Sequence, residues 1–272
     1  MKNLNDSLDN KILKYYEKYY SHELGLKDWK ERCNLRLNEE SEYCIAYIQK
    51  IKEWLDYDFK NKKVLVVGSG TGGEIVNFYN IGADVYGIEP NEEAIEISHI
   101  KAEKIGLDKN RVKKGYSEKL FFDDNEFDFV YCYTVLEHVD DVEKSIKEMI
   151  RVVRENGHIF IHTPDYRQFY EPHYKAPLPM FLPNFINKVI LLILKKPTKF
   201  LDTINKVSSL SLRRIFQKLP IHHFRMYTQI EDFTSDRFAV RVILNIQKFL
   251  FLFLGISSNQ AWILKKKKSK NI

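Results

Sequence analysis

The chain has 272 residues, 43 Lys and Arg against 37 Asp and Glu, and a formal net charge of +6. An apolar content of 44% excludes a disordered chain, and 11 Gly with 8 Pro excludes a collagen-like one. Three cysteines, Cys33, Cys44 and Cys132, form no CxxC pair and no metal-ligand spacing with histidine, which excludes a disulfide framework and fits a reducing compartment.

Residues 1–60 predict a polar helical cap, with Leu8, Ile12, Tyr15, Tyr16 and Tyr19 at helical spacing, then Tyr43, Ile45, Tyr47, Ile48, Ile51, Trp54 and Leu55. Residues 1–20 carry charges throughout and no apolar run, so no secretory signal is expected. Lys63–Val67 is a continuous apolar run ending in glycine, the mark of a buried parallel strand. A helix is expected over Glu74–Asn80, a strand over Asp84–Ile88, and a helix over Glu92–Lys104 capped by Asn91. Strands are expected at Arg111–Lys114, Phe127–Tyr133 and His158–Thr163, with a helix over Val142–Val153 ended by Asn156-Gly157. This alternation predicts an α/β fold with a parallel sheet covered on both faces.

Beyond Thr163 the rhythm stops. Residues 164–220 hold seven of the eight prolines and two apolar-basic helical stretches, Pro183–Lys195 and Phe200–Leu219, and read as an insertion. A capped helix at Thr228 with Glu231 and strands at Arg237–Leu244 and Gln260–Leu264 are expected to follow.

The sharpest local signal is Gly68-Ser-Gly70-Thr-Gly72-Gly73-Glu74, where a strand runs through glycines into a helix. Glycines let the backbone approach a ligand, and free N–H groups at a helix start favour electron-rich groups. Glu89 closes the next strand, where a carboxylate can accept two hydrogen bonds from a ribose diol. Together these point to an adenosine-bearing ligand. The loop satisfies both GxGxxG and GxGxG, so on its own it leaves open a nicotinamide-dependent oxidoreductase and a non-catalytic adenosine-binding module.

Asn125-Glu-Phe-Asp128-Phe-Val-Tyr-Cys-Tyr-Thr-Val-Leu-Glu137-His138-Val, a helix, and Asn156-Gly157-His-Ile-Phe-Ile-His-Thr163-Pro164 closely resemble class I S-adenosylmethionine-dependent methyltransferases, nearest to the ubiquinone-type and small-molecule O-methyltransferases. His223-Phe-Arg-Met-Tyr-Thr228 resembles that family's lead-in to its sixth strand. The resemblance implies a Rossmann-like, seven-stranded, mostly parallel sheet whose last strand is antiparallel, with an N-terminal helical cap and a helical insertion between strands five and six. The implied organisation is 1–60 cap, 61–165 cofactor-binding core, 166–221 insertion facing substrate or membrane, and 222–272 strands completing the core. It implies S-adenosyl-L-methionine as cofactor. Gly68, Ser69, Gly70 and Gly72 would wrap the methionyl part and Glu89 would hold the ribose. Pro90 and Asn91 would flank the adenine, with Ser117 and Glu118 in the adenine-side loop and Tyr133 and Thr134 lining the reaction face. Val66 and Tyr116 stand where the family often carries acidic residues.

A hydroxyl acceptor benefits from a base. Candidates at strand ends and in the insertion are His138, Asp165 and His173, while His162 is expected in packing. No metal is expected, since the adjacent His222 and His223 point apart on a strand.

From Ala176 onward there are 17 Lys and Arg against 4 Asp and Glu, whereas the first 175 residues hold 26 and 33. Ile186–Leu194 is nearly all aliphatic and Phe249–Leu254 wholly apolar, with basic residues around both and a Lys265–Lys268 tail. Neither run reaches the ~20 residues that span a bilayer. The expected partners are a small-molecule or glycan/lipid-linked acceptor and an anionic membrane surface. Packing within the core or a homodimer is the alternative for the apolar runs, and nucleic acid is disfavoured for want of a binding motif. The expected location is cytoplasmic, peripheral on the inner membrane face.

Overall fold

A computed structural model of the chain describes residues 2–39, 42–226 and 259–268. The expected helix at Thr228, the strand over Arg237–Leu244 and the Phe249–Leu254 run lie outside the described residues.

Seven strands form one sheet: β1 Lys63–Val67, β2 Asp84–Glu89, β3 Val112–Lys114, β4 Phe127–Tyr133, β5 Val153–Pro164, β6 Ile221–Met226 and β7 Asn259–Lys266, in the spatial order β3-β2-β1-β4-β5-β7-β6. The β1 to β5 ladders are parallel, with Val66 between Gly87 and Tyr131. β7 runs antiparallel to both β5 and β6, pairing Phe160 with Ile263 and Phe224 with Ile263. The sheet is thus the mostly parallel, Rossmann-like one, with β7 reversed. The first four residues of the expected lead-in His223–Thr228 belong to the sixth strand of the described sheet, Ile221–Met226.

Central strands are buried on both faces, which is why β1 and β4 are continuous apolar runs. On one face α6 (Val142–Val152) and α8 (Ser209–Phe216) set Ile146, Met149, Leu212 and Phe216 against Leu65, Val130 and Ile161. On the other, α3 (Glu42–Leu55) and α4 (Gly73–Asn80) set Ile48, Ile51, Ile75 and Phe78 against Val64, Tyr131 and Phe160. The N-terminal α1 (Lys2–Glu17) passes through a π-helical turn, Lys18–Glu23, before α2 (Trp29–Glu39). Its Leu8, Ile12, Tyr16 and Tyr20 share a third apolar cluster with Tyr174, Leu178, Leu191 and Leu201. The chain's first residues and the segment after β5 therefore cover each other.

Two expectations need correction. The turn Asn156-Gly157 does not separate helix from strand. The chain enters β5 at Val153, paired with Phe127, and absorbs the turn as a register shift before Phe129 pairs with His158. The Phe200–Leu219 helix is broken into a 3-10 turn, Lys199–Thr203, and α8. Between them the backbone bonds outward instead, Asn205 N–H to Glu137 O at 2.7 Å and Tyr166 N–H to Val207 O at 3.0 Å. A capping box between Ser208 and Ser211 then restarts the helix. The first insertion helix, α7, spans Asn184–Ile193 with Pro183 at its N-cap. Lys265 and Lys266 are not tail but β7, and Lys266 Nζ donates to Val153 O at 2.8 Å.

The Asp141 carboxylate caps α6 by accepting from Lys144 N–H at 2.9 Å. Asp141→Ala should lower unfolding free energy by about 1 kcal/mol, read as an earlier urea midpoint at unchanged slope.

Candidate functional site

The strand order reverses at β1, whose neighbours are β2 on one side and β4 on the other. Chain connections leave that edge in opposite directions, so a crevice opens beyond the strand ends. A cavity of about 290 Å³ lies there, lined by Gly68, Gly70, Glu89, Pro90, Tyr133, Thr134 and His138, together with Tyr15, Tyr16, Arg36, Thr71, Glu74 and Val135.

The floor is the turn after β1. Gly68 has φ +68°, and a Cβ there would stand 2.4 Å from Val135 Cγ2. Gly70 has φ +50°, and a Cβ there would meet nothing within 4 Å, so its backbone faces open space. Only glycine holds such angles without strain. Glu89, nearly buried, joins this turn to the next strand. One carboxylate oxygen accepts from Gly70 N–H at 2.9 Å and the other from Asn91 N–H at 3.0 Å. Burial pushes its pKa up, against the pull of those two bonds. Each oxygen keeps lone-pair capacity toward the cavity. Asn91 itself caps α5 (Glu92–Lys104), its side chain accepting from Ala94 N–H at 3.0 Å.

The roof comes from the N-terminal helices. Tyr16 Oη lies 3.1 Å from Thr71 Oγ1, so α1 closes directly on the glycine turn. Arg36 of α2 donates to Tyr20 Oη at 2.8 Å and stands 5.2 Å from the Tyr16 ring centre. It forms no ion pair among the described residues, although its charge counteracts the rise that burial causes in the Glu74 pKa. A carboxylate-bearing ligand would find its cation here.

The far wall is the end of β4. The Tyr133 ring stacks on His162 at 4.3 Å, and Tyr47 packs against both, 5.0 Å from the histidine and 5.5 Å from Tyr133. Burial drives the His162 pKa to about 3, so it is a neutral packing group, as expected. Thr134 holds φ +52°, a left-handed conformation costly for a β-branched residue. Its N–H is held by His162 O at 2.8 Å, which fixes the chain as it turns along the cavity.

Behind this wall lies a cluster that spacing could not reveal. Glu137, His138 and His173 offer ligand atoms within 4.8 Å of one another. His173 Nδ1 lies 2.6 Å from Glu171 Oε1, and the other Glu171 oxygen accepts from Tyr174 N–H at 2.7 Å. Burial opposes charge on His173, yet the Glu171 hydrogen bond and the carboxylates of Glu171 and Glu137 outweigh it and raise its pKa. The two carboxylates thus favour the charged form of His173. Burial also lifts Glu137 to about 7; Oε2 accepts from Thr163 Oγ1 at 3.0 Å while the buried Oε1 has no partner. His138 keeps an open face to the cavity although protein surrounds much of its ring. Desolvation and then the His173 charge lower its pKa to about 4, with a backbone hydrogen bond to Thr203 working the other way.

Several candidates fall outside the cavity lining. Asp165 is fully buried and held in a bidentate pair by Arg167, at 3.0 and 2.6 Å. That carboxylate is an anchor of the chain after β5, not a group turned toward a ligand. His173 stands behind His138. Ser117 hydroxyl lies 2.9 Å from Ser145 Oγ, and Glu118 accepts from Asp140 N–H at 2.8 Å, so both tie the loop after β3 to α6. Ser69 is buried under the turn, and Gly72 is the left-handed N-cap of α4. Tyr15, Tyr16 and Arg36 were not among the candidates. The tyrosines were visible only as a helical stripe, and no local pattern marks Arg36.

Residues 65–161 match the family model described as a methyltransferase domain. This chain carries a class I, S-adenosylmethionine-dependent methyltransferase domain. The nicotinamide alternative is set aside. The chain is 28% identical over 125 residues to an uncharacterized methyltransferase, YcgJ, of Bacillus subtilis, covering 46% of each chain. It is 32% identical over 111 residues to a ubiquinone biosynthesis O-methyltransferase of Pelagibacter ubique, covering 40% of this chain and 44% of that one. A sterol 24-C-methyltransferase of Aspergillus fumigatus shares 38% over 120 residues, 43% of this chain and 29% of the other. The chain thus spans less than half the length of these curated relatives. The solved structure of YcgJ superimposes with a TM-score of 0.53 over 81% of this chain and 99% of the other, at 18% identity, a likeness of fold.

The cofactor of the methyltransferase domain is S-adenosylmethionine, and the cavity offers groups for each of its parts: an open glycine backbone, a two-oxygen acceptor for a diol and a cation for the amino-acid carboxylate. Glu89→Ala should weaken S-adenosylmethionine binding at least about tenfold by calorimetry, each charge-assisted bond being worth about 1.5–3 kcal/mol at most. Unchanged affinity removes Glu89 from the site. Arg167→Ala would leave Asp165 buried without its partner and should cost about 3–5 kcal/mol of stability in chemical denaturation, with cofactor affinity kept.

Proposed function

We propose that this chain transfers the methyl group of S-adenosylmethionine to a hydroxyl of a small molecule or a glycan, a lipid-linked one included. The observation that carries this reading is the position of His138, a neutral imidazole lining the same cavity as the glycine turn and Glu89. The bound cofactor supplies a methyl group already activated by a positive sulfur. Gly68, Gly70 and Arg36 hold the methionyl end, Glu89 the ribose, and Pro90 and Asn91 border the adenine. Tyr15, Tyr16 and Tyr133 restrict the entry of water and direct an acceptor toward the wall at Thr134. Alignment of that kind supplies most of the rate in a displacement at carbon.

The hydroxyl must also lose its proton. Donation from His138 to the Thr203 carbonyl leaves its second ring nitrogen with a lone pair. A pKa of about 4 makes a weak base, and a weak base suffices here because a hydroxyl becomes strongly acidic as it gains a methyl group. His173, held by Glu171, positions this ring and keeps it unprotonated through its own charge. The three buried free thiols support a reducing, cytoplasmic setting.

The tyrosine lining favours a second reading, methylation of an alkene carbon, in which aromatic faces would steady a cation. Incubation with donor carrying a labelled methyl and an acceptor fraction from lysate, followed by NMR of the product, separates the two, since the methyl resonance differs between oxygen and carbon. An O-methyl product is expected, and a C-methyl product sinks the first reading.

His138→Ala should lower kcat by about 10²–10⁴ with cofactor affinity unchanged. The wild-type rate should show no acidic limb from His138 until pH approaches about 4. His173→Gln removes the positive neighbour, eases protonation of His138, and should shift that limb to higher pH. A limb that stays in place denies His173 its positioning role.

A further inference from the structure

The outer face of α7 is at odds with a helix bathed in water. Phe185, Val189, Leu192 and Ile193 recur at i, i+4, i+7 and i+8, which places them on one side. Phe185, Leu192 and Ile193 are 68%, 64% and 74% exposed. The opposite side is accounted for. Leu191 is buried, and the Asn187 amide is buried and lies within 3.4 Å of the Pro179 and Leu182 carbonyls. Leu194, the next residue after the helix, is also exposed, as are Phe169 and Phe181, whose rings meet edge to face at 5.1 Å. An exposed apolar helix face of this kind marks a contact.

The charge around it decides what the contact is. Between Ala176 and Met226 there are nine Lys and Arg and a single acidic residue, Asp202. Asp202 is paired with Lys188 at 2.8 Å, and the stretch as a whole carries a formal charge of +8. Lys195 and Lys199, at the end of the helix and just beyond it, are exposed. An apolar ridge bordered by cations complements acyl chains under anionic headgroups. A ten-residue helix is about 15 Å long, half of a hydrocarbon core. Among the described residues no helix is long and apolar enough to cross a membrane. The fitting geometry is a helix lying flat in the headgroup layer.

We infer that the exposed face of α7, with its lysine border, docks this protein on an anionic bilayer. The inner side of α7 packs into the apolar layer behind the cavity: Leu191 belongs to the cluster of Tyr16, which lines the cavity, and Leu201, and the Phe200 ring lies 5.8 Å from His138. A docked protein therefore holds the acceptor side of its cavity close to the lipid surface. That an acceptor anchored in the bilayer is delivered there rests on the proposed methyl transfer, whereas the docking does not.

The test is flotation of the full chain with vesicles of phosphatidylcholine alone or with phosphatidylglycerol added, alongside light scattering without lipid. The wild type should float with the anionic vesicles only, and about 0.5 M salt should release most of it. Phe185→Asp combined with Ile193→Asp should reduce the bound fraction at least about tenfold while S-adenosylmethionine binding, measured by calorimetry, stays unchanged. That retained binding shows that the variant is folded and that the methyltransferase reading stands apart from this one. A wild type that stays at the bottom of the gradient overturns the inference. So does a double variant that floats as well as the wild type, which would give the contact to another segment. A wild-type dimer that the double substitution splits, with no flotation, assigns the face to a second copy of the chain and overturns it too.

Discussion

The site depends on one buried carboxylate. Glu89 receives the backbone N–H of Gly70 with one oxygen and that of Asn91 with the other. The first bond ties the turn after β1 to the end of β2, and the second ties β2 to the start of α5. Two loops that belong to different βα units are locked in one relative position by a group at the cavity surface. The same oxygens point their remaining lone pairs where a ribose diol can reach them. Burial makes the charge costly, and the two backbone donors offset that cost, so the carboxylate is set in place before any ligand arrives.

A second electrostatic arrangement lies across the cavity. Glu171 and Glu137 would each be expensive to bury alone. Their carboxylates raise the pKa of His173 between them, and burial, then the nearness of His173, lowers that of His138. The two histidines, 5.4 Å apart between ring centres, shift in opposite directions: at His173 the carboxylates outweigh burial, whereas at His138 burial, and then the nearness of His173, lowers the pKa. The unpartnered Glu137 oxygen and the left-handed Thr134 lie along the same wall. Departures from relaxed packing are thus concentrated where a reacting group would sit.

The additions to the sheet explain how the crevice is roofed. α1 and α2 have too little apolar surface to stand alone, and the segment after β5 is interrupted by prolines. Packed on each other through Tyr16, Tyr20, Tyr174, Leu191 and Leu201, they bury what neither could bury alone. In doing so they place Tyr15, Tyr16 and Arg36 over the glycine turn. What they leave outside is the apolar ridge of α7.

Much of the sheet was legible because its signals are local. A strand buried on both faces must be continuously apolar, as Lys63–Val67 and Phe127–Tyr133 are, and a turn with positive φ at alternate positions needs glycines. The relation of Gly68 and Gly70 to Glu89 was readable for the same reason, since one βα unit separates them. The misreadings came where backbone partners lie far away in the chain. Phe200–Leu219 has helical periodicity, yet Glu137 and Tyr166 draw its middle out into extended backbone. Asp165 has the residue type and strand-end place of a base, but Arg167 occupies both its oxygens. The sequence alone determined the sheet, the cofactor turn and its carboxylate, because each is set by neighbours along one or two elements. Tertiary structure alone decided which tyrosines and which arginine cover the glycine turn, and which histidine lines the cavity. Those assignments depend on how distant segments pack and on which charges burial brings together.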